Sequence, residues 1–317
     1  MSSKSISRVH VISLYLLLAV SMFFLLNFYV QIEEQKVTTH PEPYPQNYRI
    51  VVPPIPENIE IFGERVPLED IDVRERLERE IIVNTYWHSS TLLMIKKAKR
   101  WFPIIEPILE KNNIPDDVKY ISVIESNLDN VVSPAGATGF WQFMKGTAPK
   151  YNIEIRDEVD ERYHLEKSTQ AACEYLLEAY EKFGSWATAA ASYNMGIDGV
   201  RKQIERQRTS NYYNFTLNPE TSRYLFRAIA MKLILINPEV YGFNVEEFEK
   251  YKPYETYEIE VTEDITDLAI WAKNKQINYK WLKILNPWLR DNFLKVPKGK
   301  SYKIKLPEPG SVYIIPD

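Results

Sequence analysis

A single cysteine, Cys173, leaves this 317-residue chain no internal disulfide to form and no cysteine-based zinc cluster. Flanked by Ala172 and Glu174 in a helical stretch, it reads as a small buried residue, a reactive thiol being the lesser alternative. Histidine is scarce too. His10, His40, His88 and His164 are scattered and show no HExxH or similar ligand spacing, so a metal enzyme is disfavoured and no cofactor is expected. No block of like charges occurs and the net charge is only −4, which gives nucleic-acid binding no support. What is present is ordinary for a folded protein: 45% hydrophobic and 26% charged residues, over a length that accommodates one substantial core and a smaller module.

One apolar run stands out. Val11–Val30 reads VISLYLLLAVSMFFLLNFYV, uncharged throughout and long enough to span about 30 Å as a helix, the thickness of a bilayer's hydrocarbon core. Lys4 and Arg8 precede it and Glu33 and Glu34 follow, which orients residues 1–10 to the cytoplasm and the remainder away from it. Neither a small-residue cleavage site nor a nearby cysteine for lipid attachment accompanies the run, so an uncleaved signal anchor over 11–30 is preferred to a removed signal peptide. Residues 31–67 then carry His-Pro-Glu-Pro-Tyr-Pro and Val-Val-Pro-Pro-Ile-Pro, a density of proline that forbids helix and reads as an extended linker, or equally as a disordered leader.

From 68 to 243 the periodicity is helical. Val73, Leu77, Ile81 and Ile82 recur at helical spacing, as do Leu92, Leu93, Ile95 and Ala98, then Phe102, Ile105, Ile108 and Leu109. Ile114-Pro115-Asp116-Asp117 marks a stop and a new start, with the aspartates available to the first-turn amides. The next helix, Val118–Ser126, points Val118, Ile121, Val123 and Ile124 inward; further helices are expected at Thr169–Phe183, Trp186–Tyr193 and Thr221–Ile236. Strand alternation is scarce, so this domain is expected to be all-α. Residues 244–317 differ: Tyr254–Thr262 and Tyr302–Leu306 alternate as strands, around helices at Thr266–Lys275 and Tyr279–Leu285, giving a small α+β module. The fold class is mainly α.

Glu125 ends the apolar helix and precedes a loop, Val131 to Gly139, poor in bulky side chains. A carboxyl so placed is partly desolvated, which raises its pKa and lets it hold a proton for general-acid work. Taken alone it is more often an ordinary surface glutamate. Gly139-Phe140-Trp141-Gln142-Phe143-Met144 then sets one amide among aromatic faces, the kind of surface on which sugar rings stack. Ala191-Ser192-Tyr193-Asn194-Met195-Gly196 closes a helix with a hydroxyl and an amide, for which a plain glycine stop is the commoner reading.

In order and spacing, these three segments together resemble the lytic transglycosylase family with the lysozyme-like fold, which has a helix-terminal Glu-Ser, then Gly-x-x-Gln-x-Met, then Ala-Tyr-Asn-x-Gly. Asn84-Thr85-Tyr86-Trp87-His88 and Pro219-Glu220-Thr221-x-x-Tyr224 bring the chain nearest the membrane-bound D branch. The resemblance implies that Glu125 protonates the glycosidic oxygen between N-acetylmuramic acid and N-acetylglucosamine. As carboxylate, Glu125 would then take the proton of the C6 hydroxyl closing onto C1, so that a 1,6-anhydro end forms without water. It further implies that Ser126, Gly139, Gln142 and Met144 serve the substrate side, that Tyr193 hydrogen-bonds the Glu125 carboxyl, and that Asn194 shapes the cleft. Glu220 and Tyr224 are divided evenly between functional and structural roles.

Lys145-Gly146 replaces the family's usual proline, and Ser192 its usual alanine. Asp129, four residues past Glu125, carries little weight as a second acid. The C-terminal module resembles a divergent LysM domain, with Glu263-Asp264-Ile265-Thr266 where Gly-Asp-Thr-Leu is usual; it implies glycan binding, against a purely structural appendage. Peptidoglycan strands are the expected partner and the bacterial cell envelope, on the periplasmic side, the expected place. A lysozyme- or chitinase-like hydrolase and a non-catalytic wall-binding protein are the competing readings.

Overall fold

The computed structural model describes residues 20–23 and 50–314, in two units that divide at Val51/Val52. The expected membrane span Val11–Val30 lies outside the described residues except for Val20 to Phe23, which are helical. Among the described residues no helix is long and apolar enough to cross a membrane.

The second unit begins with a two-residue hairpin, β1 (Glu60–Ile61) and β2 (Glu64–Arg65). Phe62 and Gly63 turn it with φ of 57° and 77°, both left-handed, as the twist of a tight hairpin requires. Helices α1 (Ile71–Tyr86), α2 (His88–Lys111), α3 (Lys119–Ser126), α4 (Leu165–Phe183), α5 (Trp186–Met195), α6 (Ile197–Gln207) and α7 (Pro219–Ile236) follow. Asp70 caps α1, accepting from the amides of Asp72 and Val73, and Asn218 caps α7 in the same way. The two apolar segments read between Leu92 and Asn112 are one helix, α2, which continues through Pro103 and Pro107. The all-α expectation holds here. α3 lies at the centre, packed against α7 and α2, and seven of its eight residues are buried.

Three local expectations are corrected. Residues 59–67 are not linker: Ile59, Ile61, Phe62 and Val66 are buried in the helical core, and the Glu64 carboxylate accepts from the amides of Trp186 and Ala187 at the start of α5. The proline count of this segment hid a hairpin whose alternate residues are apolar. Asp117 does not cap the turn after Pro115; its carboxylate accepts from the Phe62 amide at 2.8 Å and pairs with Lys232 of α7 at 2.8 Å, tying hairpin, α3 and α7 together. Phe140, Trp141 and Phe143 are buried rather than presented as open faces, Trp141 with no exposed surface, because the loop that carries them folds inward between helices.

The C-terminal module is the expected strand–helix–helix–strand. β3 (Thr256–Val261) pairs antiparallel with β4 (Tyr302–Pro307), and between them lie α8 (Leu268–Asn274) and α9 (Tyr279–Leu285), capped by Asp267 and Asn278. Buried Asn286, just past α9, donates to the Lys305 carbonyl at 2.7 Å and accepts its amide at 2.8 Å, imitating a strand partner for β4. Val159 of the helical domain enters this module's own apolar core beside Leu268, Leu289 and Ile304.

Replacing Asp117 by alanine takes the partner from the Phe62 amide and leaves the Lys232 ammonium only the Glu60 carbonyl. Urea unfolding is expected to show a loss of about 2 kcal/mol; unchanged stability would mean that the hairpin is not held by this carboxylate.

Candidate active site

α3 is the shortest helix of the domain's centre and Glu125 its penultimate residue, the one position of the helix not fully buried. The helix stops abruptly. Asn127 and Leu128 both take left-handed φ, 53° and 56°, and Leu128 does so with its side chain wholly buried. Such backbone costs a bulky residue on the order of 1–3 kcal/mol and is tolerated where packing enforces it. The turn stops the helix just beyond Glu125, so that its side chain lies against α7.

On α7, Glu220, Tyr224 and Arg227 recur at helical spacing of four and then three, forming one stripe. Tyr224 donates its hydroxyl hydrogen to Glu125 Oε1 at 2.5 Å. Arg227 gives Nη2 to the Ile124 carbonyl at 2.6 Å and sets a positive charge near the carboxyl. The Glu125 side chain is half-buried as a whole, yet its carboxyl end is nearly enclosed, and burial lifts its pKa to about 7. The Tyr224 hydrogen bond and the Arg227 charge pull the other way, and the Glu220 carboxylate adds a smaller upward push. Desolvation wins, so the group holds its proton near neutrality.

The other expected residues divide. Tyr193 does not meet the Glu125 carboxyl by hydrogen bond: its hydroxyl donates to the Trp141 carbonyl at 2.8 Å, and Tyr224 makes the bond expected of it. Burial, with Glu125 close by, pushes the Tyr193 phenol far up. The Ser126 side chain is buried and returns its hydroxyl to the Ser122 carbonyl at 3.0 Å, at the helix end. Gln142 sits at φ 50° and donates Nε2 to the carbonyls of Gly139 and Val131, at 2.7 and 3.1 Å. Gly139 (φ 84°) is obligatory there, since a Cβ would come within 2.0 Å of the Arg162 carbonyl oxygen. Met144 is 44% exposed. Asn194 joins α5 to α7, accepting from Thr221 Oγ1 at 2.7 Å and donating to Glu220 at 3.2 Å.

Two open grooves lie beside these groups, and Glu125 and Tyr224 themselves line neither. One, of about 530 Å³, is lined by Gln142, Met144, Tyr193 and Asn194. The other, of about 390 Å³, is lined by Ile124, Glu220, Arg227 and Trp87. Glu125 is bracketed by their lining residues, its neighbour Ile124 in one and the Tyr193–Asn194 pair in the other. Asp129 is not a partner acid, because its carboxylate pairs with Lys97 of α2. Among the described residues no three His, Cys, Asp or Glu side chains converge to hold a metal ion. Arg227 was not anticipated, although its place three residues past Tyr224 on the same stripe was a usable signal.

Comparison with known proteins agrees with the likeness read from the sequence. Residues 102–216 match the Transglycosylase SLT domain, and residues 257–310 match the Soluble lytic transglycosylase C-terminal LysM-like domain. The membrane-bound lytic murein transglycosylase D of two Escherichia coli strains is 28% identical over 180 residues, which is 55% of this chain and 39% of that protein. This chain thus spans well under half the length of these two relatives. An inactive mutant of the lytic transglycosylase Slt from Pseudomonas aeruginosa, solved by X-ray crystallography, is 18% identical over 58% of this chain and 36% of its own, at a TM-score of 0.35.

A buried acid with a raised pKa penalises the fold once it must ionise. Unfolded, the group ionises near 4.5; folded, near 7. Stability is therefore undiminished below pH 4.5, falls between these values and stays low above them, by on the order of 3 kcal/mol. Glu125→Gln removes that penalty, so its melting temperature should exceed the wild type's at pH 8 and match it at pH 4. Equal melting temperatures at both pH values would show that Glu125 is not desolvated.

Proposed function

We propose that this chain is a peptidoglycan lytic transglycosylase, cutting the bond between N-acetylmuramic acid and N-acetylglucosamine and leaving 1,6-anhydromuramoyl ends. The observation that carries the reading is the Glu125 carboxyl, shielded from water, bonded by Tyr224, lifted by burial to a pKa of about 7 and neighboured by grooves large enough for sugar rings. Such a group donates its proton to the glycosidic oxygen as the C1–O bond breaks. Now a carboxylate, it accepts the proton of the muramoyl C6 hydroxyl, whose oxygen closes onto C1. One carboxyl acts twice, its proton is restored and no water is consumed.

Tyr224 has the role first given to Tyr193: its hydroxyl steadies the carboxylate in the second half of the cycle. Gln142, Met144, Tyr193 and Asn194 line the groove that takes the glycan, with Gly139 shaping the loop beneath Gln142 and Ser126 bracing the site from behind. The 257–310 module would hold glycan alongside, and Val11–Val30 would anchor the enzyme in the cell envelope with its catalytic domain in the periplasm.

Glu220 favours a second reading. It is an exposed carboxylate on the Glu125-facing stripe, and a hydrolase needs such a group to activate water. Mass spectrometry of digested peptidoglycan distinguishes the two. Products lighter by one water than the hydrolytic ones are expected, and reducing muramic acid ends would give the hydrolase reading the case. Glu125→Gln is expected to release no fragments at all.

Because the donating form is the protonated one, the rate should fall as pH rises through about 7. Tyr224→Phe removes a bond that lowers the pKa, so the fall should move to higher pH while the maximal rate drops about tenfold or more. A pH profile left in place by Tyr224→Phe would dissociate the two groups.

A further inference from the structure

Outside the site, the most heavily bonded buried group is the guanidinium of Arg162. Only 8% exposed, it is held by Asp160, which accepts Nε at 3.0 Å and Nη2 at 2.7 Å and is itself 7% exposed. Its Nη1 reaches past that pair to the loop that carries Gln142, donating to the carbonyls of Gly136 at 3.1 Å and Phe143 at 3.3 Å. The Arg162 carbonyl oxygen meanwhile occupies the space beside Gly139. One residue therefore bonds the 131–144 loop at Gly136 and Phe143 and packs against it at Gly139.

The same segment is stitched to the C-terminal module by its backbone. The Asp160 amide donates to the Trp288 carbonyl at 2.9 Å, Arg290 donates to the Glu158 carbonyl at 2.8 Å, and Val159 and Leu289 face each other as a β-bridge. Side chains continue the seam. Arg156 donates to the Tyr302 hydroxyl at 2.7 Å and the Lys295 carbonyl at 3.1 Å, Tyr302 donates to Glu154, and Lys300 pairs with Glu154. Trp288 stacks between His164 and Tyr302, at 5.8 and 5.5 Å.

We infer that Arg162 is a positioning residue, and that the C-terminal module, docked on residues 154–160, holds through it the loop on which Gln142 meets the substrate. The inference rests on the proposed glycan-cleaving role for the meaning of that loop, but the mechanical link does not. On this view the module sets the geometry of the groove whether or not it also grasps glycan.

Lysine at 162 keeps the charge, but its three donors leave from one nitrogen and cannot reproduce the two bonds to Asp160 together with those to both carbonyls. In the full chain, Arg162→Lys should quicken amide exchange of residues 131–143 about tenfold and leave Lys119–Ser126 unchanged. Arg156→Ala removes the bonds to Tyr302 and Lys295, and Arg156's own pairs with Glu154 and Glu158, while leaving the Asp160–Arg162 pair in place; it should quicken the same loop roughly threefold. A loop as protected as the wild type's in Arg162→Lys overturns the clamp. Quickening in Arg162→Lys without any in Arg156→Ala overturns the module's part in it. If Arg162→Lys fails to fold, Arg156→Ala decides alone, an unaltered loop overturning the proposal. On glycan, both variants should raise KM and leave the pH at which the rate falls where it is, since Glu125 lies on α3. A loosened loop with unaltered KM overturns the link to substrate. Exchange needs no substrate, so the link can fail or stand apart from the reaction assigned to the site.

Discussion

A carboxyl group kept from water at the end of a helix is a cost that the rest of a fold must offset, and most of this domain is arranged around doing so. α3 is enclosed on every side except at Glu125. Its eight residues could not hold a helical shape in water, where a nucleus that short is unfavourable, so its form is imposed by the helices that surround it. The two left-handed residues that follow it, and the Asp117 tie to hairpin and α7, fix both ends. The strain at Leu128 and the desolvation at Glu125 fall within four residues of each other, which is where a site that needs an unusual pKa would concentrate them.

Much of this was legible in the sequence, and the failures have a common physical form. Helical periodicity reports that a face is covered, so Val73, Leu77, Ile81, Ile105, Leu109, Ile121 and Val123 are inward as read, whereas Ile82, Leu92 and Leu93, grouped with them by the same spacing, are exposed. It does not report what covers it. Phe140, Trp141 and Phe143 have the composition of a sugar platform, yet they are core, because aromatic residues that stack on ligands and those that fill interiors are chemically the same. Tyr193 and Tyr224 are a sharper case. Both phenols approach Glu125, and which of them gives its hydrogen depends on ångström-scale placement between α5 and α7. The hairpin at 59–67 was obscured by the prolines before it, and Asp117 by the commoner habit of aspartates at helix starts.

The seam between the two modules shows the same limit at larger scale. The element order of the C-terminal module was readable from alternation and capping residues. Its docking was not, since backbone hydrogen bonds such as Asp160 to Trp288 carry no side-chain signature. Arg162 reads in sequence as one more surface charge among 39 lysines and arginines. Buried and paired with Asp160, it is instead a fixed strut: a desolvated guanidinium is tolerated only when its donors are satisfied, and here they are satisfied by the loop it supports.

The balance at Glu125 shows why Arg227 is bonded as it is. A guanidinium aimed directly at the carboxyl would form a strong pair and keep it ionised, leaving no proton to give. Here Arg227 is turned aside, its Nη2 spent on the Ile124 carbonyl, so its charge reaches Glu125 only as a partial correction to burial. Tyr224 supplies the other correction through a hydrogen bond that a carboxylate welcomes. Burial without these two would hold the proton too tightly to return as a base, and a direct ion pair would never let it bind. A carboxyl that must first donate and then accept needs to lie between those limits, and a pKa of about 7 does.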